Sequence, residues 1–377
     1  MSNTNTKSVV YYPLVSVCTP TFNRRPFIET MFACFRNQNY PKKRIEWIIV
    51  DDGTDKIADL VEKSGIQQIK YISVAAKMAL GEKRNFMHSQ CKGSIIVYMD
   101  DDDYYPPERI SHAVERLLAN PAAMCAGASE IYLYFKHIAT MYQAGPYGPN
   151  HATAGTFAFR KELLETCAYE PHAALAEEKA FLKNYTIPFV QLDPLKTILV
   201  FSHDHNTFDK KRLLNTPHPD YFRPSTKTVD DFIRTTNEKK IKKFFMTDID
   251  GLLKGYAFGD PSMKPDVMIQ IRQLEEERQR MIQQASQQQA NAQANPNPNP
   301  GAIMMERPGQ PPLALSQSDI VNLIKQQQGQ IAHLTQRIEE LQSINNQLQL
   351  QLIQRMTTNT NANNSKISPL MTEMPVK

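Results

Sequence analysis

Four consecutive aspartates, Asp100 to Asp103, are the residues of this sequence best suited to chemistry. They follow the apolar run SIIVYM and precede the aromatic and proline residues of YYPPERI. Adjacent carboxylates repel one another and raise each other's pKa, and a divalent cation relieves that cost. Hard oxygen ligands suit Mg²⁺ or Mn²⁺ and leave coordination positions for a diphosphate. A solvated acidic loop is the alternative, but the flanking apolar and aromatic residues favour a fixed metal site.

Further polar residues follow other apolar runs. VSVCTPTFNRR and WIIVDDGTD place small or polar groups, among them Asp52, where a strand end could reach a nucleotide base. Asp52 could equally be a turn or N-cap residue, the commoner role of Asp before Gly-Thr. Lys83 and Arg84 begin a predicted helix and could pair with phosphate oxygens. An exposed basic helix end is the alternative for that pair.

The elements that must position these residues alternate between strand and helix. Between about residues 13 and 205, short β-branched runs such as LVSVCTP, RIEWIIVDD, IKYISV, GSIIVYM and LKTILVF alternate with longer mixed segments. This pattern predicts an α/β fold with a mainly parallel sheet and flanking helices. Ligands of open α/β sheets bind beyond the carboxyl ends of the strands. We therefore expect Asp51 and Asp52 to meet the Asp100 to Asp103 cluster at one edge.

The motifs, taken in order, resemble a known family. VSVCTPTFNR, WIIVDDGTD, GEKRN and GSIIVYMDDDDYYPPERI resemble the nucleotide-binding half of the inverting GT-A glycosyltransferases of family two. The resemblance implies a GT-A, Rossmann-like fold over about residues 13 to 205. It also implies that Pro20 and Thr21 edge the donor pocket and that Asp52 hydrogen-bonds the base, commonly uracil. The last motif resembles in particular members encoded by large DNA viruses.

The same resemblance assigns roles around the aspartates. The family's Leu-Asp-x-Asp-Asp motif is similar to this quartet, with Asp100 as its first carboxylate and Asp102 as its third. The resemblance implies that Asp102 contacts the metal directly, with Asp100 beside it and Asp101 at the variable position. It also implies that Arg84 and Asn85 lie near the nucleotide.

The acceptor side is implied by three later segments. HATAGTFAFRKELLE resembles the family's Gly-rich strand and helix, in which Gly155 would let the backbone approach the sugar. AEEKAFLKNYTIPFVQLD resembles its Glu-Asp motif, which places Glu177 and Glu178 at the acceptor; both could instead be first-turn residues favoured by the helix dipole. A third segment, FSHDHNTF, has a histidine where family members often carry one, so the resemblance implies His203 as a ligand of metal or diphosphate, with His205 as a substitute; both could instead be structural.

These residues together predict an inverting sugar transfer. The donor is a nucleoside-diphosphate sugar, most simply a UDP-sugar, and the acceptor is a hydroxyl of a glycan, a protein or a small molecule. Glu178 is the candidate base and Mn²⁺ or Mg²⁺ the cofactor. Two rival functions are a metal-dependent nucleotidyltransferase and a structural oligomeric protein with a non-catalytic GT-A-like domain. The first would usually show a Gly-rich phosphate loop, and none is evident.

Composition narrows the possible partners and the location of the protein. The 43 basic and 39 acidic residues give a net charge of +4 without a long basic block, so we expect no nucleic-acid partner. Five mutually distant cysteines predict reduced core thiols. No segment approaches the roughly 18 apolar residues of a membrane span, and MSNTNTKSVV lacks the apolar part of a signal peptide. We therefore expect a cytoplasmic protein.

The C-terminal part differs in pattern from the rest. We assign residues 1–265 to the glycosyltransferase domain with a helical extension and 266–317 to a helix and a disordered Gln/Asn/Pro-rich linker. Residues 318–356 then form an oligomerising coiled coil and 357–377 a disordered tail. Heptad positions predict a parallel homodimer. The a positions are Ile324, Ile331, Ile338, Asn345 and Leu352; the d positions are Ile320, Gln327, Leu334, Leu341 and Leu348.

Overall fold

The structure of the protein is a computed structural model. It describes residues 11–174, 178–215, 217–294, 303–307 and 310–315, with a few separate positions between 321 and 337. The chain divides into two compact units, Met1–Met281 and Ile282–Lys377. Within the described residues, no helix has both the length and the apolar character needed to cross a bilayer.

The strands of the first unit form two sheets. In chain order they are β1 Val15–Thr21, β2 Ile45–Asp51, β3 Ile69–Ser73, β4 Ile95–Tyr98, β5 Cys125–Gly127, β6 Ile131–Phe135, β7 Thr140–Ala144, β8 Ala158–Arg160, β9 Phe189–Gln191, β10 Leu199–Ser202 and β11 Phe222–Pro224. The larger sheet has the order β3-β2-β1-β4-β8-β5-β9. All of its pairs are parallel except the two that involve β8. The predicted mainly parallel α/β sheet is confirmed.

The helices pack against the larger sheet or follow it. They are α1 Arg25–Asn37, α2 Ala58–Ser64, α3 Leu80–Gln90, α4 Arg109–Ala119, α5 Glu178–Phe181, α6 Lys239–Lys243, α7 Ile249–Lys254 and α8 Pro265–Ala294. Side chains of a strand alternate between the two faces of its sheet. Val17 packs in one core cluster with residues of α1 and α4, whereas Cys18 packs in another with residues of α3 and α5. Both faces of the sheet are therefore covered by helices.

The register places the chemically interesting strand ends side by side. β1 pairs with β2 so that Thr21 lies opposite Asp51, and on its other side β1 pairs with β4. Buried Trp47 of β2 donates to Thr19 Oγ1 at 2.9 Å, and Thr19 donates to the Met99 carbonyl at 2.6 Å. This chain of hydrogen bonds ties the central strands together directly before Asp100.

One predicted strand belongs to a different sheet. The run LKTILVF contains β10, which pairs in parallel with β6 in a second sheet of order β10-β6-β7-β11. The expectation that this run joins the main parallel sheet was wrong. An apolar side chain of β10 packs against the helical extension instead: buried Phe201 stacks on Phe245 with ring centroids 4.4 Å apart. The second sheet still brings the end of β10, and with it His203, next to the aspartates.

The helical extension consists of short helical pieces. Within the run VDDFIRTTNEKKIKKFFM, the α-helix begins only at Lys239 and continues through a π-helix, Phe244–Asp248, into α7. Short 3₁₀ turns precede it, Val229–Asp231 and Thr236–Glu238, each with a capping box. Threonine side chains that hydrogen-bond the backbone favour such caps over a continuous helix.

The linker prediction was also wrong in part. Helix α8 continues to Ala294, although the apolar stripe of Val267 and Ile271 ends well before that point. Glutamine and alanine are good helix formers, so the helix persists without a stripe. Two further strands, β12 Ile303–Arg307 and β13 Gln310–Leu315, pair in antiparallel fashion within the predicted linker. Most of the predicted coiled coil lies outside the described residues.

Candidate active site

A cavity of about 160 Å³ lies at the carboxyl edge of the larger sheet. Its walls come from the end of β1, the start of α3, the aspartate quartet after β4 and the start of α8. The lining residues are Pro20, Thr21, Phe22, Arg24, Lys77, Met78, Leu80, Lys83, Arg84, Asp100, Asp101, Asp102, Ala174, Thr207, Lys264, Asp266 and Val267. The quartet thus meets the end of β1 in this cavity, whereas Asp51 and Asp52, which were expected to meet the quartet, are not among the lining residues.

Asp100 is held in place by groups from distant parts of the chain. Its backbone N–H donates to Tyr105 Oη at 2.8 Å, and Tyr105 donates to the Gly155 carbonyl at 3.2 Å. A side chain at position 155 would place a Cβ 2.8 Å from Asp100 Oδ2. Gly155 is thus the residue that lets the Asp100 carboxylate approach this loop.

Buried Arg24 bridges the next two aspartates. Its Nε lies 3.7 Å from Asp101 Oδ1 and its Nη2 lies 3.4 Å from Asp102 Oδ2. Burial, followed by the Asp102 charge, raises the pKa of Asp101 to about 7. Burial acts in the same direction on Asp102, but His203 and Arg24 outweigh it and hold the pKa of Asp102 well below its ordinary value. The surroundings therefore favour the charged form of Asp102 and disfavour that of Asp101.

Asp103 and the two histidines lie around this pair. Burial, then Asp102, raises the pKa of Asp103, which does not line the cavity. His203 Nε2 lies 3.6 Å from Asp102 Oδ2 and 2.8 Å from Asn206 Nδ2. Burial lowers the pKa of His203 to about 4, so its imidazole is neutral near pH 7. His205 faces Gly259, and neither histidine is among the lining residues.

The residues present fit a divalent metal only together with a substrate. In the described part of the chain, no three His, Cys, Asp or Glu side chains meet as a ready-made metal cluster. Mg²⁺ and similar cations are, however, commonly held by one or two carboxylates and completed by phosphate oxygens. Asp100 and the ionised Asp102 line one wall of the cavity and match that donor set.

The predicted base-binding residue is engaged within the protein. Both oxygens of buried Asp52 have partners: Lys83 Nζ forms a short contact to one, and the Met78 N–H donates to the other at 2.7 Å. Lys83 Nζ also donates to the Thr21 carbonyl at 3.2 Å. Burial lowers the pKa of Lys83, and Asp52 opposes that shift. The pair joins α3 to the ends of β1 and β2, and Lys83 still lines the cavity.

Arg84 and Asn85 point to different surroundings. The Arg84 guanidinium lies over the Tyr98 and Tyr169 rings, 4.5 and 5.4 Å from their centroids, and lines the cavity. The Asn85 amide exchanges two hydrogen bonds with the Tyr169 backbone, at 2.8 and 2.9 Å. Asn85 therefore holds the chain at Tyr169 and is not among the lining residues.

Of the two predicted acceptor-side carboxylates, the structure describes one. Glu178 is the first residue of α5 and is partly buried, outside the set that lines the cavity. Its negative charge contributes to the raised pKa of Tyr185, after burial. Glu177 lies outside the described residues. The assignment of a base to this pair stays a prediction.

Sequence reasoning assigned no role to several residues that shape the site. Arg24 is the first arginine of the quoted motif VSVCTPTFNRR, where two arginines shortly after a strand end were the available signal. Fully buried Arg109 donates from Nη2 to the carbonyls of Tyr98 and Phe157, at 3.0 and 2.8 Å. Burial lowers its pKa to about 10. Lys264 reaches the cavity from the start of α8, and no local motif marks it.

Comparisons with known proteins identify a family and relatives to which part of the chain is similar. Residues 16–181, a little under half of the chain, match the family described as Glycosyl transferase family 2. The chain is 30% identical over 105 residues to the poly(ribitol-phosphate) β-N-acetylglucosaminyltransferase TarS of Staphylococcus aureus, covering 26% of this chain and 18% of that protein. It is 29% identical over 115 residues to the putative teichuronic acid biosynthesis glycosyltransferase TuaG of Bacillus subtilis, covering 29% and 44%. The chain thus spans less than half the length of these curated relatives.

Solved structures were also found. The mannosyltransferase PcManGT of Pyrobaculum calidifontis, in complex with GDP-Man and Mn²⁺, is 18% identical with a TM-score of 0.42, covering 50% of this chain and 57% of that one. S. aureus TarS 1–349 in complex with UDP-GlcNAc is 20% identical with a TM-score of 0.41, covering 50% and 58%. Over residues 16–181 the chain is therefore similar to the Glycosyl transferase family 2 model, and the two curated relatives are named as glycosyltransferases.

Proposed function

We propose that this protein is a metal-dependent glycosyltransferase that moves a sugar from a UDP-sugar to a hydroxyl acceptor with inversion. The observation that carries the proposal is the shared cavity. Carboxylates of Asp100 and Asp102 line it together with the basic side chains Arg24, Lys83 and Arg84. Carboxylates suited to a divalent cation and cations suited to phosphate belong together in a site for a nucleoside diphosphate.

The family match and one relative's name give the proposal its reaction class. The matched region includes both strand ends and the aspartate quartet. The printed name of the S. aureus relative describes N-acetylglucosaminyl transfer to poly(ribitol-phosphate). Sugar transfer is what we propose for this chain, without a commitment to that sugar or that acceptor.

The chain's own residues divide the work between donor and acceptor. Pro20 and Thr21 edge the donor pocket. Glu178 accepts the proton of the acceptor hydroxyl as the hydroxyl attacks the anomeric carbon. Asp102 and Asp100, with His203 as a third candidate ligand, would hold a Mn²⁺ or Mg²⁺ ion, which would supply charge neutralisation for the leaving diphosphate.

The experiment is a donor screen with two matched proteins. The full chain and its Asp102→Asn variant are incubated with UDP-, GDP- and other nucleotide sugars plus Mn²⁺, and released nucleoside diphosphate is measured. We expect the wild-type protein to release UDP and the variant to lose at least about a hundredfold in rate, because the neutral amide is a poor metal ligand. Thermal unfolding shows whether the variant remains folded. Full activity of a folded Asp102→Asn variant would rule out the metal assignment.

Location and assembly remain predictions as well. We propose that the protein acts in the cytoplasm and assembles through residues 318–356. Neither proposal alters the chemistry assigned to the cavity.

A further inference from the structure

The last wall of the cavity comes from a segment well beyond the region that matches the family. We call residues 256–271 the C-terminal strap. It contains the end of the extension after α7 and the first turns of α8, whereas the family match ends at residue 181. Lys264, Asp266 and Val267 of the strap line the cavity.

The first half of the strap is fastened to the ends of β1 and β2. Tyr256 Oη donates to Asp55 Oδ2 at 2.8 Å, and Asn23 Nδ2 donates to the Phe258 carbonyl at 2.9 Å. Gly259 packs so closely that a Cβ there would lie 2.7 Å from His205 Nδ1 and 2.9 Å from the Asn23 carbonyl. These contacts fix the chain just before Lys264.

The second half is fastened to the opposite side of the cavity. Lys77 Nζ lies 2.5 Å from Asp266 Oδ2, and the Ala174 N–H donates to Gln270 Oε1 at 3.0 Å. Val267 and Ile271 are buried in a small apolar cluster with Ala174. The strap is therefore a built part of the site with polar and apolar anchors at both ends.

Lys264 differs from the other lysines around the cavity. The ammonium groups of Lys77, Lys83 and Lys264 all lie within 6.0 Å of the Phe22 ring centroid. Lys77 and Lys83 each face a carboxylate. Lys264 donates to Thr207 Oγ1 at 2.8 Å, and within the described residues no carboxylate lies within salt-bridge distance of it. A partly buried ammonium without a carboxylate is stabilised by an anion that enters the cavity.

Arg24, a second cation of the same cavity, can also form a further hydrogen bond. Arg24 is 3% exposed, and its Nη1 is buried without a hydrogen-bond partner among the described residues. Its other nitrogens face Asp101 and Asp102. A buried guanidinium N–H without a partner is costly, and a ligand oxygen would satisfy it.

We propose that the C-terminal strap completes the donor site and that Lys264 binds the diphosphate of the nucleotide, with Arg24 Nη1 as a further donor. The inference rests on the proposed function, because it identifies the anion as the diphosphate of that donor. It also gives a function to the lining residues that lie beyond the region matched by the family. The strap contributes a cation that the family-matched region does not contain.

The test compares ligands with and without the diphosphate. Isothermal titration of the full chain in Mn²⁺ uses UDP, pyrophosphate and uridine as ligands, with the variants Lys264→Ala, Lys264→Arg and Thr207→Val. We expect Lys264→Ala to weaken UDP and pyrophosphate binding about ten- to a hundredfold and to leave uridine unchanged. Lys264→Arg should recover most of the loss. Thr207→Val should weaken both ligands less, because it removes a positioning contact and keeps the charge.

Controls separate this role from a structural one. Lys254→Ala removes an exposed lysine of α7 outside the cavity and should bind every ligand as the wild-type protein does. Unchanged UDP and pyrophosphate binding by a folded Lys264→Ala variant would overturn the proposal, as would an equal loss for uridine accompanied by a lower melting temperature. Pyrophosphate binding that depends on Lys264, without any binding of UDP or GDP, would support the anion site and contradict the proposed function.

Discussion

The four consecutive aspartates occupy four different environments. Tyr105 and Gly155 fix the approach of Asp100, Arg24 lies against Asp101, and Arg24 and His203 together stabilise the charge of Asp102. Because these neighbours come from several segments, the pKa values of two adjacent carboxylates are shifted in opposite directions, upwards for Asp101 and downwards for Asp102. The division of labour within the quartet is thus a property of tertiary contacts.

Substitution of the candidate base should affect turnover more than donor binding. We expect Glu178→Gln to retain UDP binding and to lose at least about a hundredfold in transfer rate, the scale of a general base. Steady-state rates and equilibrium binding of UDP measure the two effects separately. Glu177→Gln is the matched variant. If Glu177→Gln causes the larger loss of transfer rate, Glu177 is the base. If neither variant loses activity, the base lies elsewhere.

At the scale of elements, the 3₁₀ turn Ala154–Thr156 brings Gly155 against the quartet. We expect Gly155→Ala to reduce transfer about ten- to a hundredfold, because the new Cβ would lie 2.8 Å from Asp100 Oδ2 and displace that carboxylate. The melting temperature should change little, since a side-chain end can move more easily than backbone. Gly148→Ala is the control, because its Cβ would meet nothing within 4 Å. Equal activity of both variants would contradict this role for Gly155.

Helix α3 carries a buried histidine that should make stability depend on pH. His88 lies among the Tyr98, Phe159, Tyr169 and Phe181 rings, and its Nε2 is 2.6 Å from Tyr98 Oη. Burial, followed by the Arg84 charge, lowers the pKa of His88 to about 3. A depressed folded pKa gives stability that is present above about pH 6.5, the unfolded value, and is lost as pH falls towards 3.

The corresponding measurement is urea unfolding between pH 7 and 5. The free energy of unfolding of the wild-type protein should fall more steeply than that of His88→Gln, by up to about 1.4 kcal/mol per pH unit. Glutamine keeps an oxygen acceptor for Tyr98 and cannot be protonated in this range. Identical slopes for the two proteins would show that His88 does not contribute.

The sequence predicted best those elements that are specified by the residue pattern of a short segment. Apolar runs with β-branched residues identified β1, β2 and β4, and parallel pairing then placed their carboxyl ends together. Lys264, Arg109 and Tyr105 could not be assigned in this way, because their partners lie far away along the chain. Asp52 shows the same limit, since its engagement by Lys83 depends on how α3 packs.

At the scale of the whole molecule, the predicted coiled coil is open to a direct test. Sedimentation of the full chain should give a dimer at micromolar concentration, and a chain ending before residue 316 should sediment as a monomer. Asn345→Ile should yield higher oligomers, because a buried asparagine at an a position specifies register and oligomer state. A monomeric full chain would rule the coiled coil out.

The overall architecture was accessible from pattern, and its exceptions have physical causes. Short β-branched runs alternating with longer mixed segments predicted a mainly parallel sheet with flanking helices, and helices cover both of its faces. The assignment of β10 failed because an apolar run does not reveal which sheet it joins. The end of α8 was misplaced because helix propensity alone, without an apolar stripe, sustains its last turns.

The central claim is that the cavity at the carboxyl edge of the sheet binds a nucleoside diphosphate and a divalent metal. A crystal structure of the full chain soaked with UDP and Mn²⁺ tests it most directly. We expect a metal ion in contact with Asp102, with the diphosphate between that ion and Lys264. UDP bound at another place, or a metal ion held away from the aspartate quartet, would rule out this site.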